Sequence, residues 1–228
     1  MEWFEKRDFF ENPFNTEPTT ELTGFNEMSE GLQYRVASGS MVFLEGSEGS
    51  GKTSLLKFLI QKFGGFGKVI YTDLNKDKDF DIKRLMQKKY GFFGKLVGAT
   101  PRDMILLLDN VKQISKRNAG LIKYYFDQGY IKSVVFSGEK YKKADIPPGV
   151  RERIGNRVLS IKKLTSDEAL QLFRSRIDDK LLSDAFIRKI YKKSSSTKDF
   201  LKKCDKLYDY ITSNNIKNVT EKTLEMVK

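Results

Sequence analysis

The 228-residue sequence contains no histidine. That absence removes imidazole general bases, Ser-His catalytic pairs and most catalytic zinc sites from consideration. A single cysteine, Cys204, cannot form a disulfide within the chain, and such sparing use fits a reducing cytoplasm. No apolar run approaches the ~20 residues that cross a bilayer, so no membrane partner is expected. The opening Met1-Glu2-Trp3-Phe4-Glu5 lacks the basic-then-apolar order of a secretory signal. Low-complexity segments and internal repeats are also missing. With 39% hydrophobic and 32% charged residues, the composition is that of a globular chain and not a disordered one.

What is present centres on residues 41–53. Met41-Val42-Phe43-Leu44-Glu45 is a short apolar run suited to a buried parallel strand. The next eight residues, Gly46-Ser47-Glu48-Gly49-Ser50-Gly51-Lys52-Thr53, match the phosphate-loop pattern G-x-x-x-x-G-K-[ST] in full. Glycines there let backbone N–H groups turn inward around phosphate oxygens. The helix that follows points its positive end at the same place. Lys52 is placed to reach the β- and γ-phosphates, and the Thr53 hydroxyl to ligate Mg²⁺. Leu55, Leu56, Phe58 and Leu59 continue with helical spacing, which is the context the motif requires. ATP with Mg²⁺ is the expected ligand.

Net charge is +12, unevenly spread. Residues 1–30 carry eight acids against two bases, whereas residues 31–165 carry 26 bases against 12 acids. A basic body with an acidic leader suits a polyanionic partner, nucleic acid first, and equally a lysine-rich solvated surface.

Along the chain, residues 1–25 mix aromatics (Trp3, Phe4, Phe9, Phe10, Phe14) with acids and two prolines, and are expected to wrap over the domain, burying their rings without a long helix. Asn26 is a candidate N-cap for a helix to about Val36. Strands are expected over 41–45, 68–73, 104–109, 131–137 and 158–161, with helices between them. Residues 81–90 read as a helix whose basic residues, with Lys95, interleave with Tyr90, Phe92 and Phe93. That pattern fits a nucleic-acid surface or, preferably, an ordinary amphipathic helix. Pro147-Pro148-Gly149 is expected to break the chain. From Thr165 onward the pattern is helical, with helices at 166 onward, 183–192, 197–213 and 220–227, capped at Thr197 and Thr220 in the last two. The expected organisation is a wrapping segment (1–25), an α/β P-loop core with a five-stranded parallel sheet flanked by helices (26–164), and a small all-helical lid domain (165–228).

Met104-Ile105-Leu106-Leu107-Leu108-Asp109 is a buried strand ending in an acid. Lying about fifty residues after a P-loop, it delivers Asp109 to the metal held by Thr53. Asn110 follows, where hydrolytic P-loop proteins usually have a glutamate; an amide holds a water but cannot accept its proton. Ser137, at the end of the fourth strand, either hydrogen-bonds the γ-phosphate or attacking water, or starts a turn with Gly138.

Taken in order, these motifs resemble an AAA+ ATPase, nearest the archaeal ATPases related to origin-recognition and replication-initiator proteins. The resemblance also rests on Asn12-Pro13-Phe14, the 23–27 segment Thr-Gly-Phe-Asn-Glu, residues 150–154, the Leu164–Ala169 run and Arg176-Ile177. It implies a helical lid closing over nucleotide at the interface of a homo-oligomer, with DNA as the partner. It matches Ser137 to the sensor on the fourth strand. It matches Arg153 to an arginine that acts from a neighbouring subunit or steadies the γ-phosphate, and Lys198 to the position of the lid arginine. Departures from the family are Phe25 for an arginine after Gly24, Asn110 for the catalytic acid, Lys198 for the lid arginine, a short span between the second and third strands, and no winged-helix sequence after the lid. These bear on hydrolysis and on sequence-specific origin binding; nucleotide binding is untouched. The resulting reading is a slow ATPase whose nucleotide state controls self-assembly and partner engagement. The rivals are a non-hydrolysing nucleotide-gated scaffold for a protein partner and a P-loop kinase.

Overall fold

A computed structural model of the chain describes residues 1–20, 22–64, 68–77, 80–86 and 102–225. Five strands, β1 (Met41–Glu45), β2 (Val69–Asp73), β3 (Met104–Asp109), β4 (Ile131–Gly138) and β5 (Val158–Ser160), form one sheet in the order β2-β3-β4-β1-β5. Every pairing is parallel. The strands are apolar on both faces because both faces are covered. Alternation along β1 assigns the faces: Met41 and Phe43 pack into one cluster with Leu106, Leu108, Val134 and Phe136, while Val42 and Leu44 join the cluster on the other side.

Helices α1 (Asn26–Ala37) and α2 (Lys52–Phe63) cover that second face through Leu32, Val36, Leu55, Leu56 and Leu59. Helices α3 (Lys116–Asp127) and α4 (Pro148–Ile154) cover the first, with Ala119, Ile122, Val150 and Ile154 buried. A third cluster belongs to the helices α5 (Ser166–Arg176), α6 (Asp184–Lys192) and α7 (Thr197–Ser213), followed by α8 (Glu221–Glu225). Helix α5 opens on a complete capping box: Thr165 accepts from Glu168 N, and the Glu168 carboxylate accepts from Thr165 N.

The N-terminal segment closes this helical cluster. Trp3 and Phe14 are buried against Tyr208, their rings 5.3 and 5.1 Å from it, and Trp3 Nε1 donates to Asp205 Oδ1 at 2.8 Å. Phe4 and Phe9 pack beside them, but Phe10 is fully exposed, contrary to the expectation that all five rings are covered. Trp3, Phe4, Phe9 and Phe14 already fill that surface.

Several expected boundaries shift for local reasons. Asn26 is the first helical residue and not the cap; Phe25 holds the non-helical cap position after Gly24, whose φ is +84°. Ser196, not Thr197, caps α7, because its extended backbone lets its hydroxyl accept from Asp199 N. Pro147 and Pro148 do not break the chain but start α4, since a proline at the first helical position lacks only an N–H that would go unbonded there. Lys68 lies outside β2 and Ile161 outside β5. Of the expected helix at 81–90, residues 82–86 are helical, with Ile82 and Met86 buried; Lys88, Lys89, Tyr90, Phe92, Phe93 and Lys95 lie outside the described residues.

Candidate nucleotide site

The P-loop joins β1 to α2 at the carboxyl end of the sheet. Its left-handed turns fall on Gly49 (φ +72°) and Gly51 (φ +101°). Space forbids a side chain at Gly49: a Cβ there would come within 2.6 Å of Lys198 Cβ. The Lys198 N–H donates to Gly49 O at 3.2 Å, so the first turn of α7 sits on the tip of the loop. A Cβ on Gly51 would meet the Phe25 ring at 3.3 Å.

Lys52 is 8% exposed, and its Nζ donates to Gly46 O at 2.7 Å and Ser47 O at 2.8 Å. Burial holds its pKa below the usual lysine value, opposed by the nearby Asp109, Glu139 and Glu48. Asp109, the nearby acid, is wholly buried at the end of β3. Its Oδ2 accepts from Thr53 Oγ1 at 2.8 Å and from the Tyr71 hydroxyl at 3.1 Å. Its Oδ1 accepts from Asn110 N at 2.9 Å and from the Ser137 hydroxyl. Lys52, Thr53, Asp109, Asn110 and Ser137 therefore come together from the start of α2, the end of β3 with the residue after it, and β4.

Two further residues that bond to this cluster carry no warning in the motifs. Tyr71 on β2 is pinned to Asp109; burial first, and then that carboxylate, push its phenol well above its usual range. Asp73, the last residue of β2, stands opposite Asp109 in the parallel register. Its Oδ1 accepts from Asn110 Nδ2 at 2.8 Å and from Asn75 N at 3.0 Å. The pairing also fixes which way the amide faces: its NH₂ end is turned to the acid, and its oxygen accepts no hydrogen bond among the described residues. Asn110 itself has φ +58°, a left-handed turn that asparagine tolerates. The available signal was that β2 and β3 both end in Asp, and parallel neighbours bring such ends together.

A cavity of about 230 Å³ opens beside the P-loop, with Glu48, Lys52, Thr53 and Asn110 on one side and Leu172, Lys198 and Leu201 on the other. Residues 15–19 form a further wall, tied to α5 by Arg176, whose guanidinium donates to Pro13 O at 3.0 Å and Asn15 O at 2.9 Å. Of the remaining loop residues, Ser50 has its hydroxyl oxygen buried without a hydrogen-bond partner among the described residues. Arg153 lies elsewhere: it makes a two-point pair with Asp127, at 2.9 and 3.0 Å, on the outer side of α3 and α4. A buried ammonium, an orphaned hydroxyl and glycines at the loop's turns fit a polyphosphate; a threonine hydroxyl against a buried carboxylate fits a hard cation that prefers oxygen ligands.

No family model matches the sequence, and no curated protein sequence matches it. Solved structures do. The Orc1 protein of Aeropyrum pernix, solved in complex with DNA, superposes with a TM-score of 0.70 at 12% identity, covering 95% of this chain and 68% of Orc1. Cdc6p of Pyrobaculum aerophilum gives 0.68 at 13% identity, over 94% and 70%. Domain III of the replication initiation protein DnaA of Thermotoga maritima gives 0.61 at 15%, over 95% and 96%. The parallel sheet, its strand order, the P-loop after β1 and the helices that follow β5 thus make this chain's fold that of an AAA+ module, similar to those of Orc1 and Cdc6.

Proposed function

We propose that the chain binds ATP as an AAA+ module, that its nucleotide state controls self-assembly and engagement of DNA, and that it hydrolyses ATP slowly. This reading divides the chain into a wrapping segment (1–25), a core (26–164) and a helical lid (165–228). The observation that carries it is the 2.8 Å hydrogen bond from Thr53 to the buried Asp109, whose charge is felt by the nearby Lys52. Thr53 and Asp109 would hold Mg²⁺, which when bound supplies positive charge to the terminal phosphates. Lys52 leaves its carbonyl partners to meet those phosphates, and Ser47, Glu48 and Ser50 belong to the loop that surrounds them. Lys198 contacts the nucleotide from the lid side. Ser137 holds the Asp109 carboxylate in position. Arg153, released from Asp127, acts on the γ-phosphate of a neighbouring copy.

Slow turnover follows from Asn110. Its free amide oxygen orients a water but takes no proton from it. The same pairing with Asp73 favours a second reading, a nucleotide switch that does not hydrolyse. Equilibrium binding of a fluorescent ATP analogue with and without Mg²⁺, beside steady-state phosphate release, tests both. Mg²⁺-dependent binding with slow release is expected. Binding without any release selects the switch, and no binding overturns the proposal. For DNA, the expected result is a salt-sensitive, sequence-tolerant affinity that rises when ATP is present.

A further inference from the structure

The loops after β3 and β4 are fastened side by side at the carboxyl end of the sheet. Asp145 N donates to Lys112 O at 2.8 Å, Ile114 N donates to Asp145 O at 2.9 Å, and Gln113 and Asp145 form an isolated parallel bridge. The Glu45 carboxylate anchors the other side, accepting from Tyr141 N at 2.9 Å and from Ser160 Oγ at 2.7 Å. Arg151 locks the loop from within, donating to Ile146 O at 3.0 Å and Ala144 O at 2.5 Å and lying over the Tyr141 ring. Together these make a rigid ledge.

The ledge carries Lys112, Lys116, Lys140, Lys142 and Lys143, all exposed, against two exposed acids, Glu139 and Asp145. None of the five lysines makes an ion pair among the described residues. Arg117, Lys123, Arg153, Arg174, Arg188, Lys189 and Lys203 do, whereas the exposed Lys192, Lys193, Lys202 and Lys206 of the helical region make none among the described residues either. Lys112, Lys140 and Lys143 line a cavity of about 470 Å³ whose remaining wall includes Lys52 and Asn110. Both residues, together with Glu48, also line the P-loop cavity. A rigid backbone support needs no ordering of its own on binding, so only the freedom of the lysine side chains is lost, and lysine contacts to phosphate are blind to base sequence.

We propose that this ledge is the docking surface for the phosphodiester backbone of DNA, placed against the γ-phosphate end of the nucleotide site so that the two share the wall made by Lys52 and Asn110. The inference rests on the DNA reading above and names the surface responsible. The shared wall makes nucleotide occupancy felt at the ledge, which is where an ATP-dependent change in DNA affinity would arise.

The test compares a labelled duplex of arbitrary sequence bound by the wild type, by a ledge variant (Lys112→Ala, Lys140→Ala, Lys143→Ala) and by a lid variant (Lys192→Ala, Lys193→Ala, Lys202→Ala, Lys206→Ala). Both variants change only exposed residues, and melting curves check that each is folded. The ledge variant is expected to bind at least tenfold more weakly at ~50 mM salt, with the log–log salt slope lowered by about 2–3, near one per lost phosphate contact. The lid variant should stay within about twofold of the wild type at that salt concentration. Equal loss in both variants, or loss in the lid variant alone, overturns the ledge while leaving DNA binding standing. A wild type that binds no duplex with or without ATP overturns the DNA reading itself.

Discussion

The carboxyl end of the sheet and the helical region are built on opposite plans. At the sheet end, Lys52, Asp109 and Ser137 are buried polar groups: Lys52 is held by the Gly46 and Ser47 carbonyls, and Asp109 by Ser137, Thr53, Tyr71 and Asn110. In the helical region seventeen of the described residues, from Trp3 to Ile211, form a buried apolar cluster, with Ser194 and Thr223 as the buried polar residues and tethers such as Tyr208 to Asp179 at its margins. Burying an ammonium and a carboxylate costs stability unless they are paired and hydrogen-bonded, whereas burying rings contributes to it directly. A fold therefore concentrates the first kind where chemistry needs it and relies on the second to stay folded. Substitutions in the two regions should separate cleanly into lost ligand binding and lost stability.

The largest effect is expected in the helical region. Trp3 is 3% exposed among Phe4, Phe9, Phe14 and Tyr208. Trp3→Ala should destabilise the protein by about 3–5 kcal/mol, as large-to-small core substitutions do. Cys204 reports on the same cluster: it is fully buried, and desolvation pushes its thiol well above the usual range. The native thiol should resist alkylation at neutral pH, and Trp3→Ala should speed its modification through more frequent opening. Denaturant melts and thiol-labelling rates check both. Unchanged stability in the variant would mean that the N-terminal segment does not close the cluster.

At the sheet end, Lys52→Ala should leave the melting temperature nearly unchanged and weaken MgATP binding. A charge-assisted hydrogen bond is worth roughly 1.5–3 kcal/mol, or about ten- to more than a hundredfold in affinity. Titration of a fluorescent ATP analogue measures it. Wild-type affinity in the variant would refute the nucleotide site, and a collapse of stability instead would refute the separation of the two regions.

The elements whose causes are local were readable from the chain. The apolar run before the glycine-rich loop, the strand ending in Asp109 and the helical pattern from Ser166 onward each act within a few residues, and the structure places β1, β3 and α5 there. What could not be read depends on distant partners. Trp3 meets Asp205 across 202 positions, and Asn110 meets Asp73 across 37. Nothing in residues 1–25 names the helical region as the surface they cover. Likewise the family resemblance singled out Arg153, but its pairing with Asp127 follows from how α3 and α4 pack.

The pairing of Asp73 with Asn110 sets the most delicate test of the sheet end. Placing a carboxylate by Asn110→Glu supplies a proton acceptor, but it sets that group against Asp73, whose Oδ1 now accepts from the Asn110 amide at 2.8 Å. Two carboxylates so close disfavour each other's ionisation, so the new acid is either protonated or turned away from the water. The exchange Asp73→Asn with Asn110→Glu reverses donor and acceptor instead, giving the glutamate an amide to hold it. Glutamate is one methylene longer than asparagine, so the gain should fall short of the ~10²–10⁴ that a well-placed general base supplies. The single variant is expected to change steady-state phosphate release by less than about threefold, and the exchange to raise it by about tenfold. Asp73→Asn alone should not raise it, since it leaves no acid in either position. Glu48→Gln is the control, because Glu48 is another acid on the same cavity wall. If the wild type turns over briskly, the exchange adds nothing and Glu48→Gln abolishes activity, then the base lies in the phosphate loop and Asn110 is no more than a turn at the end of β3.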